Sequence, residues 1–137
     1  MIISKGQALL LKLPYADGGV CKKKRPFLVI EVLNDSCYLL NISSVKGKFR
    51  KLQFKSNILI NKYNPPFIKP SFVKIDAVYK LDYFPELTKS ILNSGNKLNE
   101  KDFDNIKNKL ISFKANNNVL SKSFTAEEIK QFNSNLN

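Results

Sequence analysis

The stretch "KKKRPFLVIEVLNDSCYLLNISS", Lys22 to Ser44, decides how the rest of the chain is read. Four consecutive cations meet Pro26, and an apolar run of strand length, "PFLVIEV" (26–32), follows at once. A short and nearly continuous apolar run bounded by turn residues reads as a buried strand. Asn34-Asp35 offers a tight reversal into "CYLLNIS" (37–43), so the two segments form a predicted hairpin. The charge at the hairpin's mouth is harder to place. A solvated turn needs one or two polar residues, whereas four like charges repel one another.

Working outward, the first 82 residues read as short strands separated by turn signals. "QALLLKL" (7–13) precedes "PYADGGV", whose Asp-Gly-Gly supplies positive-φ positions for a loop. "FRKLQF" (49–54) has apolar groups at 49, 52 and 54, the pattern of a half-exposed strand, and "SFVKIDAVYKLD" (71–82) divides into two β-rich pieces. Closely spaced short strands indicate a small barrel or sandwich. After Tyr83 the period changes. "PELTKSILNSG" opens with Pro85 at a first helical turn and closes on Gly95 as its C′ residue. A second helix is predicted from the N-cap Asn99, with Phe103, Ile106, Leu110 and Phe113 forming one stripe. Thr125 with Glu128 makes a capping box for a short last helix. "KANNNVLSKS" (114–123) reads as a polar loop and "NSNLN" as a frayed end. The expected class is therefore α+β, a single domain over 1–137 with an antiparallel barrel core (1–82) and a helical appendage (83–137).

The 137 residues are 43% hydrophobic and 25% charged, ordinary values for a globular chain with one core. No apolar run reaches the roughly 18 residues of a membrane helix, and "MIISKGQALLLKLP" reads as a strand rather than an export signal. There is no histidine, which removes imidazole acid–base catalysis and Ser-His-Asp or Cys-His machinery and weakens any zinc site. Cys21 and Cys37, 16 positions apart, read as free, reduced thiols in a cytosolic compartment. The formal net charge is +12, and it is uneven: residues 1–82 hold 15 basic and 5 acidic groups, residues 83–137 hold 8 and 6. A field of that sign suits an anionic partner, nucleic acid first, with an anionic membrane or an acidic protein behind it. The many Asn, Ile and Lys residues also fit a compositional bias that places lysine on every surface.

Three segments are candidates for chemistry. Lys22, Lys23 and Lys24 either guard the strand's end as solvated charges or gather phosphates as point charges, and Arg25, fixed by Pro26, places a planar fork in a defined position. "NISSVKGKFRKLQFK" (41–55) carries Lys46, Lys48, Arg50, Lys51 and Lys55 with no acid, interleaved with Phe49 and Phe54. Cations mixed with rings suit single-stranded nucleic acid, since charge is neutralised while bases stack; the alternative is that Phe49 and Phe54 face the core, the better reading for Phe54. Ser43 and Ser44 end the strand and can donate to a phosphate, although such a pair also marks a turn. "NPPFIKPSFVKID" (64–76) reads as a rigid loop at a barrel rim.

Taken in order, "KGQALLLKLPYADGG", "KKKRPFLVIEV", "LLNISS" and "KPSFVKIDAVYKLD" resemble the MazF/PemK (Kid-like) family of toxin endoribonucleases over about residues 5–82. "FLVIEV…CYLLNISSVKGK" is also similar to the type III branch (ToxN/CptN/TenpN), whose Ser-x-Lys element would fall at Ser44-Val45-Lys46. The resemblance implies an SH3-like barrel that cuts single-stranded RNA without a metal or cofactor, leaving a 2′,3′-cyclic phosphate and a 5′-hydroxyl. It implies Arg25, Ser43 or Ser44, and Lys46 as catalytic groups, with RNA held by Lys22, Lys23, Lys24, Lys48, Phe49, Arg50, Lys51 and Lys55. Without histidine, proton transfer falls to a lysine, to Arg25 or to an acid such as Asp17 or Asp76. The implied partners are RNA, a cognate antitoxin (an RNA pseudoknot or a small protein) and further copies of the chain, as a homodimer or an RNA-bridged assembly; no membrane is involved, and the setting is cytoplasmic. A passive nucleic-acid-binding barrel and a CcdB-like gyrase poison are the alternatives.

Overall fold

A computed structural model describes residues 2–20, 22–44, 56–60, 66 and 71–137, with Ser44 described by its backbone alone. Seven strands share one mostly antiparallel sheet: β1 (Ala8–Leu11), β2 (Arg25–Val32), β3 (Ser36–Ser44), β4 (Asn57–Ile60), β5 (Ser71–Lys74), β6 (Ala77–Asp82) and β7 (Leu120–Phe124). Among the described residues, two α-helices, α1 (Glu100–Asn116) and α2 (Ala126–Phe132), and three short 3-10 turns accompany the sheet in an α+β fold.

The predicted hairpin forms. β2 pairs antiparallel with β3 from Phe27↔Asn41 to Val32↔Cys37, and Leu33 N–H closes the turn on the Ser36 carbonyl at 2.8 Å. Both of its faces are covered, which is why β2 is apolar without alternation. Phe27, Val29, Cys37 and Leu39 point into one cluster, roofed by Leu87, Ile129 and Leu136. Leu28, Ile30, Leu40 and Ile42 point into the other, with Ile58, Ile60 and Val73 and with Ile106 and Leu110 from α1. The expected stripe on α1 is thus its buried face, and Asn99 caps the helix by accepting the Asp102 N–H at 2.9 Å. The capping box at Thr125 and Glu128 is also present.

β3 has a different partner at each end. β6 pairs with its first half (Leu39↔Tyr79) and β5 with its last residues (Ile42↔Val73). Two residues of β3, 40 and 41, therefore face five of the returning chain, 74–78. Five residues cannot all pair with two, and the ladder breaks beside Asn41.

Three expectations are corrected. Residues 85–95 form two 3-10 turns, not one helix, because Asn93, Ser94 and Gly95 have φ of 52°, 58° and 79° in succession. The supposed loop 114–123 is the end of α1 followed by β7, which runs parallel to β6 and drives Phe124 into the first cluster. Four of its five side chains face solvent, three of them the polar Ser121, Lys122 and Ser123, while the backbone supplies the pairing. The final residues are not frayed: Leu136 is 0% exposed, and the Asn133 amide bridges Lys12, accepting its N–H at 2.8 Å and donating to its carbonyl at 2.9 Å. β4, not anticipated, pairs with β5. The expected strand 49–54 lies outside the described residues. Among the described residues no helix is long and apolar enough to cross a membrane.

Candidate functional site

Arg25 opens β2, opposite Leu11 of β1, and its side chain shares the face of Phe27 and Val29. It is 6% exposed. One N–H donates from Nη2 to the Leu13 carbonyl at 2.9 Å, while Nε and Nη1 have no hydrogen-bond partner among the described residues. The guanidinium lies 4.0 Å from the Tyr15 ring centroid, 5.1 Å from Phe27 and 5.9 Å from Tyr79. Among the described residues no carboxylate forms an ion pair with it. Cation–π attraction is worth about 2 kcal/mol for a desolvated pair. Burying an ion costs several kcal/mol, and its unsatisfied donors add to that. Three rings and one carbonyl leave this cation short of an anion.

The loop above Arg25 is built on the anticipated Asp-Gly-Gly. Gly18, at φ +96°, lets the chain fold back, so Tyr15 N–H reaches the Gly19 carbonyl at 2.7 Å and Gly18 N–H reaches the Tyr15 carbonyl at 2.9 Å. Ala16 N–H donates to the Tyr79 hydroxyl at 3.0 Å, tying the loop to β6. Tyr15 is thereby laid across the guanidinium.

A cleft opens at the break in the β3 ladder, lined by Tyr15, Ala16, Asp17, Asn41, Lys74, Asp76, Ala77 and Tyr79. The two acids singled out for proton transfer, Asp17 and Asp76, meet here, both exposed. Asn41, 5% exposed and directly opposite Phe27, keeps its Oδ1 without a partner among the described residues. Strand alternation sets Ser43 on the same face as Asn41 and Arg25. The backbone of Ser44 pairs with Ser71.

Lys22, Lys23 and Lys24 are exposed ahead of β2, and the Lys24 ammonium donates to Asn135 Oδ1 at 3.2 Å. Lys46, Lys48, Phe49, Arg50, Lys51 and Lys55 lie outside the described residues. Tyr15, Asn41, Lys74 and Tyr79 were not among the anticipated site residues. Asn41 had a visible signal: it follows Cys37 and Leu39 at period two, a polar side chain on an otherwise apolar face. Tyr15 and Lys74 had none, because loop closure and the ladder break bring them in.

Among the described residues no group of three or more His, Cys, Asp or Glu gathers as a metal site needs. Cys37 is a free thiol in the first cluster, and burial pushes its pKa up to about 12, which leaves it no nucleophile at neutral pH. A search against protein-family models returned no match, and neither did a search of curated proteins.

Proposed function

We propose that this chain is an endoribonuclease toxin with an SH3-like barrel of the MazF/PemK type, cutting single-stranded RNA beside Arg25. One observation carries the reading: a buried guanidinium with two unpaired N–H-bearing nitrogens and no counter-ion among the described residues, next to a cleft holding two carboxylates and a lysine. A phosphodiester is the anion that a planar fork suits.

RNA brings its own nucleophile, so the chain needs only to align it and stabilise charge. Asp17 or Asp76 takes the proton of the 2′-hydroxyl, and the 2′-oxygen attacks phosphorus. Arg25 and the Ser43 hydroxyl neutralise the non-bridging oxygens as negative charge builds. The bond from phosphorus to the 5′-oxygen breaks, and the leaving oxygen takes a proton from the Lys74 ammonium. The products are a 2′,3′-cyclic phosphate and a 5′-hydroxyl. The exposed lysines before β2 gather the strand, and a cognate antitoxin, RNA or protein, competes for them.

The test is incubation of a mixed single-stranded RNA with the protein in EDTA, followed by end analysis. Cyclic phosphate ends that disappear with Arg25→Ala support the proposal. Metal-dependent cutting, or activity surviving Arg25→Ala, overturns it, and tight RNA binding with no cutting assigns the chain as a passive binder.

A further inference from the structure

Asn41 is the one polar side chain on the β3 face formed with Cys37 and Leu39 that is nine-tenths buried, and its Oδ1 has no partner. A buried amide oxygen left bare forfeits its hydration with nothing in return, so a chain that keeps one has a use for it. Arg25 repeats the anomaly with donors: Nε and Nη1 are also bare. The two are diagonal neighbours across the β2–β3 ladder, since Asn41 faces Phe27 and Arg25 lies two residues before it. Diagonal cross-strand positions sit about 7–8 Å apart, within reach of long side chains. Tyr15 and Tyr79 touch both halves: they line the cleft with Asn41 and carry the Arg25 guanidinium over their rings.

An unpaired acceptor beside unpaired cationic donors is complementary to a hydroxyl beside a phosphate. In nucleic acid that pair occurs in the ribose unit, where the 2′-hydroxyl adjoins the 3′-phosphate, and it is missing from DNA. A hydroxyl both donates and accepts, so it satisfies the Asn41 amide whichever way the amide is turned. Resting on the RNA-cutting reading of this cleft, we infer that Asn41 is the ribose reader of the site. In the bound state the 2′-hydroxyl donates to Asn41 Oδ1, which sets the 2′-oxygen beside the carboxylates. For cleavage the O–H turns from Asn41 to Asp17 or Asp76, while Arg25 takes the phosphate and Tyr15 moves aside to admit them.

Nucleoside 3′-monophosphates are suitable probes, because they hold the hydroxyl–phosphate pair yet contain no diester to cut. The four of them and their 2′-deoxy counterparts are titrated into the full chain. The wild type should bind the ribo forms about five- to tenfold tighter, the value of one buried hydrogen bond. Asn41→Ala should bind both sets with the wild type's affinity for the deoxy forms, whereas Arg25→Ala should weaken both sets equally. If Asn41→Ala does not fold, Asn41→Leu, which matches the shape without polar atoms, gives the same readout. Equal binding of ribo and deoxy forms by the wild type, or a ribose preference that survives loss of Asn41, overturns this inference and leaves the RNA-cutting reading standing. Failure to bind either set at millimolar concentration overturns both.

Discussion

The guanidinium carbon of Arg25 lies 4.0 Å from the centre of the Tyr15 ring, so a loop residue covers a buried cation that has no carboxylate partner among the described residues. A residue retained only for the fold should be replaceable there by an apolar side chain. Buried ions exchanged for hydrophobic groups of similar volume are often neutral or stabilising. Arg25→Met is therefore expected to melt at or above the wild-type temperature while losing RNA cleavage by about 10²- to 10³-fold, the scale of one removed transition-state donor. Thermal melting and a cleavage assay on one preparation check both halves. A large fall in stability would make Arg25 a structural residue.

Tyr15 is expected to act as a cover. The chain contains no tryptophan, so Tyr15→Trp introduces a single indole over the guanidinium. Its emission should shift on adding a nucleoside 3′-monophosphate as the ring leaves Arg25. Tyr15→Ala should bind inorganic phosphate more tightly than the wild type while losing about 0.5–2 kcal/mol of stability from the missing cation–π contact. Unchanged emission would show that Tyr15 stays in place.

The two cleft carboxylates predict an asymmetry. If one of them takes the 2′-proton, Asp17→Asn or Asp76→Asn should lower cleavage by about 10²- to 10⁴-fold, while the other variant changes it little. Binding of 3′-monophosphates should survive in both. Two fully active variants would remove both acids from the chemistry.

Cys37 should resist thiol reagents in the native state. In a Cys21→Ser background, no labelling is expected at pH 8 until denaturant is added. Burial raises the folded pKa from 9.0 to about 12, so the neutral thiol is favoured by folding. Its contribution is complete below pH 9 and is lost as pH rises from 9 towards 12, where the unfolded state releases its proton first. Chemical denaturation across that range should show stability falling.

The last 18 residues should be indispensable to the fold. Ending the chain at Val119 removes β7, α2 and the buried Phe124, Ile129 and Leu136, and leaves the first core cluster open. Single large-to-small changes in such cores cost about 2–5 kcal/mol. Three anchors together are worth about 6–15 kcal/mol, as much as the 5–15 kcal/mol that holds a domain folded. A truncated chain with a cooperative unfolding transition would show the core to be complete without them.

Local rules were enough wherever a segment's own pattern met its surroundings. The run 26–32 with its reversal at Asn34-Asp35 gave the central hairpin, and Asn99 and Thr125 gave two helix starts, because caps and alternation act within a few residues. The segment 114–123 reads as loop because most of its residues are polar, and the pairing of Leu120–Phe124 with β6 is a backbone property without a local signature. The C-terminal turn was read as frayed because neither the burial of Leu136 nor the Asn133 bridge to Lys12, 121 positions away, leaves a mark nearby.

The sequence by itself determined the α+β composition, the strand opened by Arg25 and the concentration of positive charge in the first 82 residues, all consequences of residue type and short-range spacing. Only the tertiary structure decided that Arg25 is buried, that Tyr15 covers it, and that Asp17, Asn41 and Asp76 line one cleft. The cause is the register of β3. The two strands that share its other edge, β5 and β6, are offset, and five residues face two, so the ladder opens beside Asn41 and contacts of long sequence separation form the site.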